Sequence, residues 1–441
     1  MLAGAALAAL VGCGAKSAVD AGKTEITLMR FFGSCDAQYA DVNDVARGEG
    51  ECGIITTLVN QFNATNTDGI VVHTEVVEWG GYYDQLTARL VAKDVPTVAV
   101  MHESALGDYV RRGLVLPLDK DFAAAGIDTG DFTAHARRGV TFAGQAYALP
   151  FDTWSWLWHV NTSLMKRAGL LDGDGRPLVP HSPEELLSHA RQFRRATGKP
   201  YFAWAVANEP AANTRTFLTL VAQQNARLFS ENGKKIDMHQ PAAAKALRLM
   251  EQLYAEGHVK PNLDYGGALQ AFLHGDAGVI VVGTWAIDQF LRESKVAGSP
   301  LHDSYAAMPF PQLYERQAVF ADGHAWAMFK GGAVDEKTRQ AGVKLLKFIW
   351  EHSGQWARSG NLPARQSVAA SAQFRGLPFR DALAEITRTG TAMPGNVPTQ
   401  RSVEFEIGAG VGNLLVSRVP LGEIQDFIDM RVNGVLKKAR R

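Results

Sequence analysis

The residues best placed to meet a ligand are polar and aromatic side chains at the ends of apolar runs. Phe31-Phe32-Gly33 follows the run Thr24–Arg30, Glu78-Trp79-Gly80 follows Ile70–Val77, and His102-Glu103-Ser104 follows Val95–Met101. Farther along, Asp152, Thr153 and Trp154 follow Pro150-Phe151, Asn208-Glu209 follows Tyr201–Val206, and Trp285 follows Gly278–Val282 after Gly283-Thr284. A flat indole offers an apolar face, and carboxylates, amides and hydroxyls offer bonds at the rim. This is the pairing that a sugar ring, with its C–H faces and hydroxyl edge, requires. Trp154, Trp156 and Trp158 alternate, so they share one face of a strand. At least one of the three belongs to a core, and Trp154, nearest the loop, is the one expected in a cleft.

Reactive chemistry is not marked. There is no Gly-x-x-x-x-Gly-Lys-Ser/Thr phosphate loop, no Gly-x-Ser-x-Gly elbow and no His-Glu-x-x-His. His102-Glu103 continues as Ser-Ala, and none of the twelve His is paired at i, i+4, so neither a metal nor a cofactor is expected. Glu184-Glu185 reads as a solvated helix start. Gly408-x-Gly410-x-Gly412 has no strand before it and reads as a glycine-rich turn. Glycoside hydrolysis needs two converging carboxyl groups, and nothing singles out such a pair.

Three cysteines carry separate expectations. Residues 1–12 are small and apolar, too short to span a bilayer, and end in Leu10-Val11-Gly12-Cys13, which resembles a bacterial lipobox. That resemblance implies a cleaved export signal and a lipid on Cys13. No Lys or Arg precedes Cys13, whereas a signal begins with positive charge, so a start at Met1 and a start upstream of it both stay open. Cys35 and Cys52 then remain, and an even remainder in an exported chain suggests a disulfide. Two cysteines without an intervening His make a poor zinc set.

The elements that position these residues alternate. Strands are expected at Thr24–Arg30, Ile70–Val77 and Val95–Met101, with helices at Ile54–Asn63, Tyr82–Ala92 and Ser104–Arg112. Such alternation argues for parallel βαβ units in an open sheet, whose ligands lie beyond the carboxyl ends of the strands. Ser182 caps a helix over 183–196; further helices are expected near 213–228, 241–256, 266–274 and 337–350. Val319–Phe329 reads as one strand or two. The chain has 441 residues, suggesting two or three domains. Forty-five basic residues balance forty-five acidic ones, which argues against a broadly basic nucleic-acid binder.

Several segments in fixed order resemble the extracellular solute-binding proteins of ABC importers, the branch that includes maltose-binding protein. They are Val95-Pro96-Thr97-Val98, Gly113-Leu114 with Pro117-Leu118-Asp119, Tyr147-Ala148-Leu149-Pro150-Phe151-Asp152, and Asn161 with Ala168-Gly169-Leu170. Ala271-Phe272 with Gly275, Ala277-Gly278 and Gly283-Thr284-Trp285 follows, and then Pro309-Phe310-Pro311, Gly323 and Leu362-Pro363-Ala364-Arg365. The resemblance covers about residues 24–370. It implies an α/β, two-lobed periplasmic-binding-protein fold of type II, with crossing strands and a cleft between the lobes. It divides the chain into a signal and tether at 1–23, a first lobe of 24–158 plus 306–352, and a second of 159–305 plus 353–441.

The family's role implies a lipid-anchored monomer in the cell envelope. It would bind a mono- or oligosaccharide, with a disaccharide favoured, deliver it to membrane permease subunits, and do no chemistry upon it. Trp285 occupies the family's stacking position. His324, beside Gly323, joins the cleft set, and Arg365 is either a fork of donors to the ligand or an internal ion pair. The sequence departs from the family at His159-Val160-Asn161, where two aromatics usually precede the Asn, and in the Cys35–Cys52 insertion after the first strand. The alternatives are the same fold with a non-sugar polar solute, and an exported glycoside hydrolase.

Overall fold

The computed structural model describes residues 22–331 and 335–439. Cys13 and the apolar run before it lie outside these residues. Thr24–Arg30 pairs in parallel with Ile70–Val76 along its whole length and with Val98–His102 on its other side. His324–Ala327 lies antiparallel to Val98–His102, and Ala148–Pro150 closes that edge. Helices Gly50–Thr65 and Glu336–Glu351 pack on this sheet through apolar faces that include Ile54, Leu58, Leu345 and Ile349.

The second sheet is built around the ten-residue strand Asp152–Asn161, every residue of which is buried. Val279–Gly283 pairs along one edge of it and Phe202–Ala203 lies beyond. Tyr305–Pro309, Val319–Asp322 and Leu362–Pro363 also pair with it, and Gly390–Thr391 continues the sheet. Helices Pro210–Ala222 and Gln400–Leu415 pack closely together in this half.

Each sheet has its own core. One runs through Ile26–Phe151 and Ala325–Trp356, the other through Trp154–Ala321 and Ala357–Leu436. The chain thus crosses three times. Two crossings are a single residue long: Phe151 separates Ala148–Pro150 from the long strand, and Gly323 separates Val319–Asp322 from His324–Ala327. These changes of packing do not coincide with the divisions expected at 158/159, 305/306 and 352/353, because Asp152–Asn161 is the spine of the second sheet and not a tail of the first. Gly323 must be small: a Cβ there would lie 2.7 Å from the Asp152 carbonyl oxygen and 2.6 Å from the Glu103 carboxyl carbon.

Two further expectations are corrected. Gly408, Gly410 and Gly412 sit inside helix Gln400–Leu415 and not in a turn. A side chain at Gly408 would overlap the backbone of Pro210, and one at Gly410 the side chain of Ile428, so these glycines let helices approach. The run Tyr201–Val206 contributes only Phe202–Ala203 to the sheet, since Val206 and Ala207 donate instead to the Leu263 carbonyl.

Candidate functional site

A cleft of about 330 Å³ opens where strand ends of the two sheets face one another. The first half supplies Phe31, Phe32 and Gly33 after Thr24–Arg30, Glu78 and Trp79 after Ile70–Val76, and His102, His324 and Glu51. The second supplies Trp154, Trp156, Glu209, Arg215, Tyr265 and Trp285. Arg30 organises the first loop from below. Its buried guanidinium donates to the carbonyls of Phe31 and Gly33, at 2.9 and 2.8 Å, and to Asp36 and Thr56.

The disulfide Cys35–Cys52 ties this loop to the first turn of helix Gly50–Thr65. Glu51 is thereby held at the cleft wall. A larger, more open groove of about 840 Å³ lies beside the cleft, between helices Tyr82–Ala92 and Gln400–Leu415. It holds none of the aromatic residues from the strand-end loops. The smaller cleft, at the carboxyl ends of the strands, is therefore the candidate site.

The aromatic wall is continuous. Trp285 is half-buried and packs on Trp154 and Trp156, with ring centroids 5.4 and 5.6 Å apart, and its Nε1 donates to the Tyr265 hydroxyl at 2.8 Å. Gly283 makes room for the Trp285 ring itself, which a side chain there would overlap. Arg215 lies 4.7 Å over Trp154, and its Nε donates to Glu404 at 2.7 Å. On the opposite wall, Trp79 and Phe31 pack against the His102 ring, with Arg401 stacked on Trp79 at 4.3 Å from the neighbouring groove. The His102 pKa is held well below its ordinary value by burial, with His324, Arg215 and Arg401 adding to it.

Below the cleft floor lies a polar network. Asp152 accepts from the backbone N–H and Nδ1 of His324, both at 3.0 Å, from Trp356 Nε1 at 2.6 Å and from Asn361 Nδ2 at 2.8 Å. The Asn361 amide also donates to Glu51 at 2.8 Å and accepts from the Thr284 hydroxyl at 2.6 Å. Burial pushes the Glu51 carboxyl up to about 7, against the pull of His324, with Asp152 pushing further. Burial opposes charging of His324, but Asp152, Glu51 and Asp322 outweigh it and raise its pKa. Glu51, Asp152 and His324 bring ligand atoms within 4.8 Å of one another. Asp152 Oδ2 already accepts three bonds, however, so a cation would have to displace them; the set suits a hydrogen-bond network better than a metal.

A model of the bacterial extracellular solute-binding proteins matches residues 53–355, well over half the chain. The chain belongs to that family. Among curated relatives, this solute-binding protein is 22% identical over 304 residues to the arabinooligosaccharide-binding protein of Bacillus subtilis, covering 66% of this chain and 64% of that one. It is 24% identical over 295 residues to a probable sugar-binding periplasmic protein of Rhizobium meliloti, covering 64% of this chain and 66% of that one. The match thus spans just under two thirds of these relatives' own length.

Among solved structures, it resembles the GacH receptor of Streptomyces glaucescens, studied unliganded and with acarbose, at a TM-score of 0.75 and 18% identity over 95% of this chain and 99% of that one. It also resembles an ABC transporter solute-binding protein of Thermotoga lettingae bound with α-D-tagatose, at 0.76 and 18% over 94% of this chain and all of that one. The fold is accordingly the two-lobed α/β binding-protein fold.

Of the residues singled out from sequence, Phe32, Glu78, Trp79, His102, Trp154, Glu209, Trp285 and His324 line this solute-binding protein's cleft. Five others do not. Asp152 is wholly buried behind His324, and Thr153 pairs with Leu362 in the sheet. Glu103 turns away between Gly139 and Gly323 toward His135, lining a separate cavity. Asn208 is exposed on the turn before helix Pro210–Ala222, with a left-handed φ of 55°. Arg365 donates to Asp131 at 2.7 Å and stacks on Trp350, which is the ion-pair alternative. His159, at the departure from the family pattern, is buried against Tyr305, 2.8 Å away, and does not line the cleft. Glu51, Trp156, Arg215 and Tyr265 were not anticipated there. Glu51 carried a signal in its adjacency to Cys52, and Trp156 in its alternation with Trp154 on one strand face.

Proposed function

We propose that this protein is the substrate-binding component of an ABC importer. It holds a mono- or oligosaccharide, a disaccharide by preference, between its two lobes and passes it to membrane permease subunits. The observation that supports this is a strand-end cleft with a continuous aromatic wall from both halves of the chain and carboxyl groups at its edges. Phe32, Trp79 and Trp285 provide apolar faces in this reading, with the buried Trp154 backing Trp285, and Glu78, His102, Glu209 and His324 form the polar rim. The lobes divide at the three crossings, so that Phe151, Gly323 and the segment after Trp356 act as hinges. The chain acts as a monomer, anchored in the cell envelope by lipid on Cys13. Among the described residues no helix is long and apolar enough to cross a membrane.

A thermal-shift screen against a panel of mono- and disaccharides tests the reading. A ligand at 100 times its dissociation constant stabilises the fold by about 2.7 kcal/mol. No stabilisation by any sugar overturns the proposal, and turnover of a disaccharide would favour a glycoside hydrolase instead.

A further inference from the structure

The charges around the cleft do not balance, and this deepens the sugar-binding reading on which it rests. Three carboxyl groups line it: Glu51 in the first turn of helix Gly50–Thr65, Glu78 after the strand Ile70–Val76, and Glu209 before helix Pro210–Ala222. One guanidinium lines it with them, that of Arg215, and it is bonded to Glu404. Of the two imidazoles, His324 is bonded to Asp152, and His102 is bonded to the Tyr83 hydroxyl at 3.1 Å, with cationic neighbours that oppose its protonation. Arg401 stacks on Trp79 and Tyr83 but lines the adjoining groove and not this cleft.

The carboxyls are short of partners. Glu51 accepts one bond, from Asn361. Among the described residues no hydrogen bond or ion pair reaches the carboxyl of Glu209, whose burial raises its pKa against the pull of Arg215 and Arg401, whereas Glu78 is exposed to solvent. Two of the three, Glu51 and Glu209, share the cleft lining with Trp285 and with Tyr265, whose hydroxyl accepts from Trp285 Nε1 at 2.8 Å.

A sugar hydroxyl satisfies a carboxylate's lone pair but leaves its charge, and charge removed from water without a partner is costly. An ammonium group on the ligand cancels that charge, and an aromatic face adds its own attraction for a cation. We propose that the preferred ligand is an amino sugar carrying a free ammonium group, seated between Glu51 and Glu209 with its ring on Trp285.

The test is calorimetric titration at pH 7 and low salt with matched pairs. These are glucosamine against glucose, galactosamine against galactose, and the β-1,4 dimer of glucosamine against cellobiose and against its N-acetylated form. At least one free-amino member is expected to bind 10-fold or more tightly than its neutral partners. Glu51→Gln and Glu209→Gln, with melting temperatures near that of the parent, should each weaken the free-amino member several-fold more than its neutral partners. Equal or tighter binding of the neutral and N-acetylated sugars overturns the amino-sugar assignment and leaves the sugar-binding reading standing. Binding of spermidine, titrated alongside, with no binding of any sugar overturns both readings, and failure of every compound to bind overturns the amino-sugar assignment.

Discussion

Asp152 grips His324 at two points: one carboxylate oxygen accepts the His324 backbone N–H and the other its Nδ1–H, each at 3.0 Å. Asp152 begins the long strand of the second sheet, and His324 begins a strand of the first. The pair therefore staples two of the three crossings to each other, immediately under the cleft. Trp356 and Asn361, on the third crossing, donate to the same carboxylate. Asp152→Ala would strip the partners from four buried donors and leave His324 without its counter-charge. A loss of about 3–5 kcal/mol in unfolding free energy is expected, measured by urea denaturation. A change under 1 kcal/mol would mean that the crossings hold without the staple.

Glu51 gives the same network a pH dependence whose sign follows from its raised pKa. Its ordinary value is 4.5 and in the folded protein it is about 7. Between these values the folded state binds more protons than the unfolded one, so this group's contribution to stability falls as pH rises through the window, by up to about 1.4 kcal/mol per pH unit. His102, whose pKa is lowered, and His159, lowered to about 3, contribute the opposite slope below 6.5. The difference between the parent and Glu51→Gln isolates the Glu51 part, because the amide keeps the acceptor for Asn361. The parent's stability minus the variant's should fall steadily from pH 4.5 to about 7, the variant gaining on the parent as Glu51 is forced to ionise. A flat difference would place Glu51 in solvent.

Strand and helix alternation was legible because apolar periodicity is local. Thr24–Arg30, Tyr82–Ala92 and the Ser182-capped helix Pro183–Thr197 stand where the pattern puts them. The split of Val319–Phe329 was ambiguous because both halves are fully buried, and nothing in an apolar run records that its halves enter different sheets. The candidate site follows the same division. Phe32, Glu78, Trp79 and Trp285 are legible since a parallel strand delivers the residues after it to one edge. Glu103 and Asp152 are not, since position at a strand end does not say which way a side chain turns. Arg215 and Tyr265 reach the cleft from helices whose docking is decided by distant parts of the chain.

The disulfide should matter to the first lobe and little to the second. Cys35 and Cys52 enclose a separation of 17 residues, whose buried anchors are few, chiefly Tyr39 and Val45. Cys35→Ser with Cys52→Ser is expected to cost about 3 kcal/mol on a chain-entropy estimate. Because the bridge holds the first turn of helix Gly50–Thr65 against Gly33, hydrogen exchange should rise in residues 31–58 and stay unchanged in residues 279–290. Uniform exchange through both regions would contradict this local role.

The glycines of helix Gln400–Leu415 make a packing prediction. Gly408 faces the backbone at Pro210, where a methyl group has no room. Gly408→Ala raises helix propensity by up to about 1 kcal/mol, yet the overlap must push two helices apart, a strain of about 1–3 kcal/mol. Net destabilisation is expected, whereas Gly434→Ala, with open space around it in the neighbouring helix, should be neutral or stabilising. Stabilisation by both substitutions would show that the helix contact yields.

Trp285 decides whether the aromatic wall serves a ligand or the fold. It is half-buried, it ends the strand Val279–Gly283, and it leans on Trp154 and Trp156, which are fully buried. Removing a core indole costs about 3–5 kcal/mol of folding stability. Removing one that lies open to the cleft costs less, because part of its surface is already in water. If a sugar ring stacks on it, Trp285→Ala should weaken binding by about 1–3 kcal/mol, the scale of a buried aromatic contact, while unfolding free energy falls by under about 2 kcal/mol. Trp285→Phe, which keeps an aromatic face but gives up the bond to Tyr265, should recover part of the affinity. Denaturation and calorimetry on the same two variants separate the cases. A large stability loss with unchanged affinity per folded molecule would assign Trp285 to the core, and the stacking platform would have to be sought in Trp79.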